Sequence, residues 1–486
     1  MKRIFLLVVL IVAGLATVGF GQETKKTWTL KECVDIALEN NLRIKRSVYN
    51  VETFRANLLQ AKGNFLPTLN LQGGYGLNYG RAINPVTNQY VDRNSNTLNF
   101  NGQSNTTIFN GLRITNTFRY SQKDLEASNF DLQKAKNDVI INVVTLYTNV
   151  IFNKELYDNA NYQLNSSQQQ LERIQKQVAA GSLAMTNQLN QEAQVATNEL
   201  NLINQENALN LSLLQLKQAM QIPASEIVEV EVPDLALEDL VLDQSANEIY
   251  KISLETMPEI KSAVLKKESA DLALRAARGS YFPRLTFTAG ATTNYSSLSN
   301  TARYIQPNDL TNGYTVNNLR PVGQVDGTNQ FVYAVTPNPI FVANDYNQAA
   351  QLSDNLFKQL SLNLNIPILN GFQTRANVQR QIITQELANI TIKETQNTLR
   401  QSIETAFNDA LAASRSYSAS LKQVNAQTEA YRMNKQRFDV GALNIIEYQI
   451  SENDLFRAKS DLTRAKYNFI FKKKVLDFYQ GKQIEY

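Results

Sequence analysis

The residues able to do covalent or acid–base chemistry are few in kind. Histidine is absent from the 486 residues, which removes the side chain that most often binds zinc or copper or acts as a general base near neutral pH. Cysteine occurs once, at Cys33, so no internal disulfide can form. Its neighbours Leu30, Val34, Ala37 and Leu38 fall on one face of a helix-like segment, which makes Cys33 a core residue. Dinucleotide and P-loop glycine patterns are missing. A serine nucleophile would lack a histidine base, although a Ser–Lys pair stays open. Carboxylates are numerous but gather nowhere. No enzyme, cofactor or metal site is expected. Charged residues make up 19% and the net charge is +4, which is no basic footprint for nucleic acid.

The chain opens with MKR and the apolar run IFLLVVLIVAGLATVGF, followed by small residues at Gly19 and Gly21. This reads as a secretory signal peptide over residues 1–21, with Gln22 first in the mature chain. An uncleaved anchor is the alternative, but the run is short for a span.

Length argues for two domains or a repeated unit, and the chain repeats itself. A shift of 216 residues superposes Leu38 on Leu254, Ile44 on Ile260, Gly63 on Gly279, Pro67 on Pro283 and Leu69 on Leu285. Further on the shift becomes 260: TIFNG, ending Asn110–Gly111, meets PILNG, ending Asn370–Gly371, and Gly181 meets Gly441. The difference is an insertion in the second half, where Asn294–Gln359 is rich in Asn, Thr, Tyr and Pro and is expected to be a long loop. The expected organisation is a first repeat over 22–221, a connector over 222–245 with a β-like VEVEV, and a second repeat over 246–486 with its loop at about 294–359.

Gly63, Pro67, Gly279 and Pro283 mark the starts of strands; Asn110, Gly111, Asn370 and Gly371 mark their exits. Between them, side chains alternate. Leu69, Leu71, Tyr75 and Leu77 alternate with Asn70, Gln72, Gly74 and Asn78; Leu285, Phe287, Ala289 and Ala291 with Thr286, Thr288 and Thr292; Leu360, Leu362 and Leu364 with Ser361, Asn363 and Asn365. The alternation before TIFNG is weaker. Period two puts the two sets on opposite faces. The polar face is mostly uncharged amide and hydroxyl, as in a water-filled lumen. A soluble antiparallel sheet is the plain alternative. Four strands cannot close a barrel, and open edges are not tolerated in lipid, so strands that span a membrane must be shared among chains. Three chains would supply twelve.

The remainder strides in sevens. Val143, Val150, Tyr157, Leu164, Leu171 and Val178 recur every seven residues, as do Ile403, Ala410, Tyr417, Val424, Tyr431 and Phe438. This is coiled-coil spacing. The segment Thr117–Ala180 would run about 96 Å as helix, enough to cross a periplasm. Each long helix stops at a glycine, in AAGSLAM and DVGALNI, and resumes as a second amphipathic helix. Each half is therefore a long helical hairpin with a tight tip.

TLKECVDIALENN, GNFLP and GSYFP, TIFNG and PILNG, and the tips VAAGSLAMTN and FDVGALNIIEY together resemble the TolC-type outer-membrane efflux family over nearly the whole mature chain. The resemblance implies a mixed α+β membrane protein: a homotrimer with a 12-stranded β-barrel, four strands per chain, continuous with a long periplasmic α-helical coiled-coil tunnel. It implies an outer-membrane channel of a tripartite efflux or type I secretion system, passive itself, in outer-membrane lipid. Its partners would be a periplasmic adaptor and an inner-membrane RND or ABC-type pump. The tip residues Gly181, Ser182, Leu183, Gly441, Ala442 and Leu443 are expected to contact the adaptor, with an exposed leucine inserting between partner helices. The family's gate places acids just after the second tip. Glu447 keeps an acid; Ile450 stands where many members carry a second one, which weakens the ring. Glu452 and Asp454 could substitute, but helical phase does not put all three on one face. The competing class is a structural coiled-coil envelope or adhesion protein without a channel.

Overall fold

The computed structural model describes residues 27–83, 89–232, 244–299, 303–305, 314–337, 340–342 and 347–482. The signal peptide expected over 1–21 lies outside the described residues, as does 233–243 of the connector. The chain divides into two units. One holds Asn57–Ser121 and Asp271–Ile383; the other holds the residues up to Ala56, Gln122–Ala270 and everything from Thr384 on.

The first unit is built on a sheet. Helix α2 (Leu42–Gly63) ends where Gly63 and Pro67 break the helical pattern, and strand β1 (Thr68–Asn78) begins at once. Strand β2 (Ser95–Phe109) returns beside it. In the second half, α6 (Pro258–Arg278) leads through a single 3-10 turn into β3 (Arg284–Ser296), and β4 (Phe357–Asn365) returns. The order is β4-β3-β2-β1, antiparallel throughout. Among the described residues, β1 and β4 have no strand on their outer sides.

Register places the expected faces. Leu71 stands opposite Gly102 and Gly102 opposite Ala291, while Phe287 pairs Leu362 and Thr106. These residues lie on one face, where Leu69 and Leu71 are each 79% exposed. The other face carries rows such as Asn70, Gln103, Gly290, Gln359 and Thr68, Asn105, Thr288, Ser361. Thr288 Oγ1 donates to Asn105 Oδ1 at 2.9 Å across that face. On the apolar face the ring of Phe100 covers Gly73, where an added Cβ would stand 3.1 Å away.

The region 294–359 is not the structureless loop the composition predicts. Strand β3 runs on to Ser296, Tyr314–Gln324 pairs with Phe331–Pro337, Arg303–Ile305 pairs with Ile340–Val342, and Gln348–Asp354 is helical. Its β-branched and aromatic residues favour strands, and Gly327, at φ +74°, supplies the left-handed residue of the turn before Phe331.

The second unit is helical. Helix α1 (Leu30–Asn40) starts with a capping box in which Thr29 and Glu32 satisfy each other's backbone N–H groups. Helices α3 (Arg113–Ala179) and α7 (Gln373–Asp439) have 67 residues each, about 100 Å of helix. Helices α4 (Met185–Met220) and α8 (Ile445–Tyr479) return from their tips, and the short α5 (Ala246–Thr256) carries a second capping box, Ser245 with Glu248. The sevenfold stride points inward at Val143, Val150, Leu164, Ile403, Ala410 and Tyr417, all buried. One core joins α1 to Val143, Tyr147 and Ile151 of α3, Leu216 and Met220 of α4 and Tyr467 of α8; another joins Ile249, Ile403 and Leu476. Cys33 lies fully buried in the first. Burial, helped by the Glu32 charge, pushes its thiol up to about 12, so it stays protonated and inert. The connector's VEVEV contributes Glu229–Val230, which pairs in parallel with Thr27–Trp28. Tyr147 Oη donates toward the carbonyls of Glu231 at 2.9 Å and Trp28 at 3.2 Å, holding both segments to α3.

Candidate functional site: the strand exits and hairpin tips

Strand exits are built the same way twice. Gly111 and Leu112 both have left-handed backbones, φ +67° and +61°, and so do Gly371 and Phe372, φ +58° and +62°. Two consecutive left-handed residues turn the chain from strand to helix, which is costly for a residue with a Cβ. Asn110 is buried and its Oδ1 accepts from the Ile114 N–H at 3.3 Å, capping α3. Asn370 is exposed and its amide donates to Thr374 Oγ1. Gly111 and Gly279 meet: a Cβ on Gly279 would stand 2.6 Å from the Gly111 carbonyl oxygen. Only glycine permits that crossing. Gly63 and Gly371 face open space. Pro67 and Pro283 sit just before β1 and β3, where extended backbone begins and no ladder N–H is needed.

The two tips share one backbone device. At the first, Ser182 N donates to Gln177 O and Gly181 N to Val178 O, both at 2.9 Å; at the second, Ala442 N donates to Arg437 O at 2.7 Å and Gly441 N to Phe438 O at 2.9 Å. With Gly181 at φ +74° and Gly441 at +76°, both are Schellman stops. The returning helices differ. Asn444 caps α8 by accepting from the Glu447 N–H at 2.9 Å, and its amide donates to the Glu447 carboxylate at 2.8 Å; α4 begins at Ala184 with no side-chain cap.

The expected exposed leucines turn inward. Leu443 is 9% exposed and Leu183 half-buried. Beside Leu443 on the second tip, Ile445 and Tyr448 are also buried. The apolar groups left open at the tips are Val440 (79% exposed), Ile446 and Ile450 on the second and Met185 and Leu189 on the first. Ile450 is the residue expected at the gate; the other four are not singled out by the sequence, although Val440, Ile446 and Met185 stand within the tip motifs.

Among the acids, Glu447 is exposed and Asp454 half-exposed, seven residues on and so on nearly the same helix face. Glu452 points the other way and is buried, accepting from Ser166 Oγ at 3.0 Å. Desolvation raises its carboxyl above the usual range against the pull of Ser166 and Lys435. It therefore cannot replace Ile450 on the Glu447 face. Glu452 belongs to a polar seam joining the two hairpins: Gln191 donates to Ser167 O at 2.9 Å and accepts from Gln449 at 2.7 Å, while Gln163 and Gln194 donate to Asn453 at 3.1 and 3.3 Å. Tyr448 closes the far side, stacked on Phe438 with centroids 4.7 Å apart and its hydroxyl 3.1 Å from that of Tyr431.

The profile of the family "Outer membrane efflux protein" matches residues 33–220 and 340–476. Outer membrane protein TolC of Escherichia coli K12 is 20% identical over 461 residues, covering 95% of this chain and 83% of its own length. The outer membrane protein VceC of Vibrio cholerae superposes with a TM-score of 0.72 at 11% identity, covering 94% of this chain and 97% of that one. The CmeC outer membrane channel of Campylobacter jejuni does so with 0.69 at 16% identity, covering 94% and 87%. The fold is thus that of the solved efflux channels, and with a profile matched over more than half its length the chain belongs to the outer membrane efflux protein family, an efflux channel component of the outer membrane.

Proposed function

We propose that this chain works as a homotrimer, a passive conduit through the outer membrane that takes substrate from an inner-membrane RND or ABC-type pump by way of a periplasmic adaptor. The observation that carries the reading is the sheet: four strands with both edges open among the described residues, leucines outward on one face and uncharged amides and hydroxyls on the other. Such a sheet has no stable place in water or in lipid alone, since exposed apolar rows need lipid and free backbone groups need partners. Joining the edges of three copies satisfies both demands with twelve strands around a polar lumen. The long hairpins would extend the lumen as a periplasmic tunnel.

At the tips, Gly181, Ser182, Gly441 and Ala442 set the turns that meet the adaptor, with Leu183 and Leu443 as internal supports and Val440, Ile446 and Met185 as the contact surface. Glu447 would ring the narrow end in three copies, with Ile450 as its apolar neighbour and Asp454 one turn-pair deeper. Like charges so placed repel one another and concentrate cations, the arrangement that cation pathways use. The test is conductance of the detergent-purified protein in planar bilayers. Glu447→Gln should lower the cation preference, read as a shift of the reversal potential toward zero in a salt gradient. An unchanged reversal potential removes Glu447 from the gate.

A further inference from the structure

The seam inside one copy also prescribes the seam between copies. We propose that the outer edge of β4 pairs antiparallel with β1 of the next copy in a fixed register, Leu362 opposite Tyr75 and Asn363 opposite Gly74, with Gly371 crossing Gly63 just beyond. This rests on the ring of copies proposed above and adds the residue pairing that closes it.

The internal seam lies where the strand exit of the first half meets the strand start of the second. There Thr106, Thr107 and Phe109 of β2 pair with Phe287, Thr286 and Leu285 of β3, beyond the point where β1 stops at Thr68 opposite Asn105. The end of β2 therefore owes its strand conformation to β3 alone. Gly111 and Gly279 cross next, and Phe282 packs beside Gly111. Beyond them α3 meets α6: Ser262 Oγ donates to Asp131 at 2.6 Å, Lys266 lies 2.7 Å from the same carboxylate, and Ala127 is 0% exposed.

The shifts of 216 and 260 map this seam onto the two outer edges. The hairpin registers obey them: Leu71 faces Gly102 in the first half, and the matching Phe287 faces Leu362 in the second. Several half-contacts of the internal seam then recur exposed. Gly63 and Gly371 have no atom within 4 Å of an added Cβ. Leu66, matching Phe282, is exposed, and Leu387, matching the fully buried Ala127, is 57% exposed. Ser262 and Ser269 are buried, whereas the matching Arg46 and Thr53 are exposed. Strand β4 ends at Asn365 although the match to Phe109 is Leu369, and Ile366, Ile368 and Leu369 stand open, Ile368 by 92%. The missing stretch is the part that, in β2, only the neighbouring hairpin holds.

Transferring the internal pairs Gly102–Ala291, Gln103–Gly290 and Ser104–Ala289 gives Leu362–Tyr75, Asn363–Gly74 and Leu364–Gly73. Face parity agrees, because Leu362, Leu364 and Tyr75 share the apolar face and Asn363, Asn365 and Gln72 the polar one. A slip of one residue would turn every apolar side chain of β4 to the wrong face. The glycine crossing excludes slips of two.

The test is cysteine pairing at the polar face, where a water-borne oxidant has access. The buried Cys33 can stay in place. Asn363→Cys with Gly74→Cys should give, after mild oxidation of the full-length detergent-solubilised protein, covalent dimers and trimers on a non-reducing gel. Opposite residues have Cβ atoms about 4.5–5.5 Å apart, diagonal ones farther. Asn365→Cys with Gly74→Cys, slipped by two, and each single variant should stay as single chains. A ladder from the slipped pair alone, in a particle that is still oligomeric, overturns the register; a single-chain particle by mass overturns the ring itself. Gly63→Val gives an independent readout. Its site is open at the end of α2, so the chain should keep its helical circular dichroism and lose assembly, while Gly323→Val, also in open space, keeps both. Full assembly of Gly63→Val contradicts the crossing.

Discussion

The sheet and the helical unit treat apolar side chains in opposite ways. In the helices the sevenfold stride packs inward, and Val143, Tyr147, Ile403 and Ala410 are sealed within one chain. In the sheet the leucines point out, and among the described residues β1 and β4 have no strand on their outer sides. The first pattern is a core that a single copy completes; the second is a surface for lipid and for further copies. Hydrophobic content alone does not tell the two apart. Period does: seven with a narrow seam for a partner helix, two with a greasy face and an uncharged wet one for a wall between lipid and water.

The contrast can be broken most strongly in the core. Ile403→Ala should destabilise the helical unit by about 2–5 kcal/mol, the usual cost of emptying a fully buried aliphatic site, seen as a lower denaturation midpoint by circular dichroism. Leu71→Ala, on the outward face, should leave that midpoint unchanged; equal losses would mean the sheet leucines belong to the chain's own core. On the sheet itself, Leu71→Arg should cost about 2–4 kcal/mol in membrane insertion if the residue lies near the bilayer midplane, read as lost folding yield into vesicles. Gln72→Arg, its neighbour on the wet face, should insert normally, and equal yields would abolish the assignment of faces.

The smallest effect is expected at the polar seam near the tips. The Glu452 carboxyl is raised above its ordinary value because burial penalises its charge. The stabilising contribution of its neutral form is complete below that ordinary value and is lost as pH rises through the raised native one. Hydrogen exchange around Ser166 and Glu452 should therefore quicken as pH rises above the ordinary carboxylate range, beyond the intrinsic pH trend. Glu452→Gln should remove that excess; an excess of the same size in the variant would show that another group titrates.

Much of this was legible in the sequence because periodicity carries burial. The faces of β1, β3 and β4, both tip glycines and both long helices follow from alternation and stride. The direction of Leu443 did not, since a turn sequence fixes the backbone and leaves open whether the next side chain folds back; here it is buried, as are Ile445 and Tyr448. Helical phase already denied Glu447, Glu452 and Asp454 a common face; that Glu452 is the buried one, accepting from Ser166 of the other hairpin, depends on a contact between residues far apart in the chain. The hairpins within 294–359 were masked by Asn-rich composition. The contact of Gly111 with Gly279 joins residues far apart in the chain; only their repetition at Gly371 and Gly63 marked them.

The central claim is that a copy of this chain is incomplete until its strand edges meet those of others. Light scattering of the detergent-extracted protein, corrected for bound detergent, tests it most directly. The account predicts a particle of three chains, with no monodisperse single chain once detergent is withdrawn; a stable single-chain species in plain buffer, its sheet edges already satisfied, would contradict it.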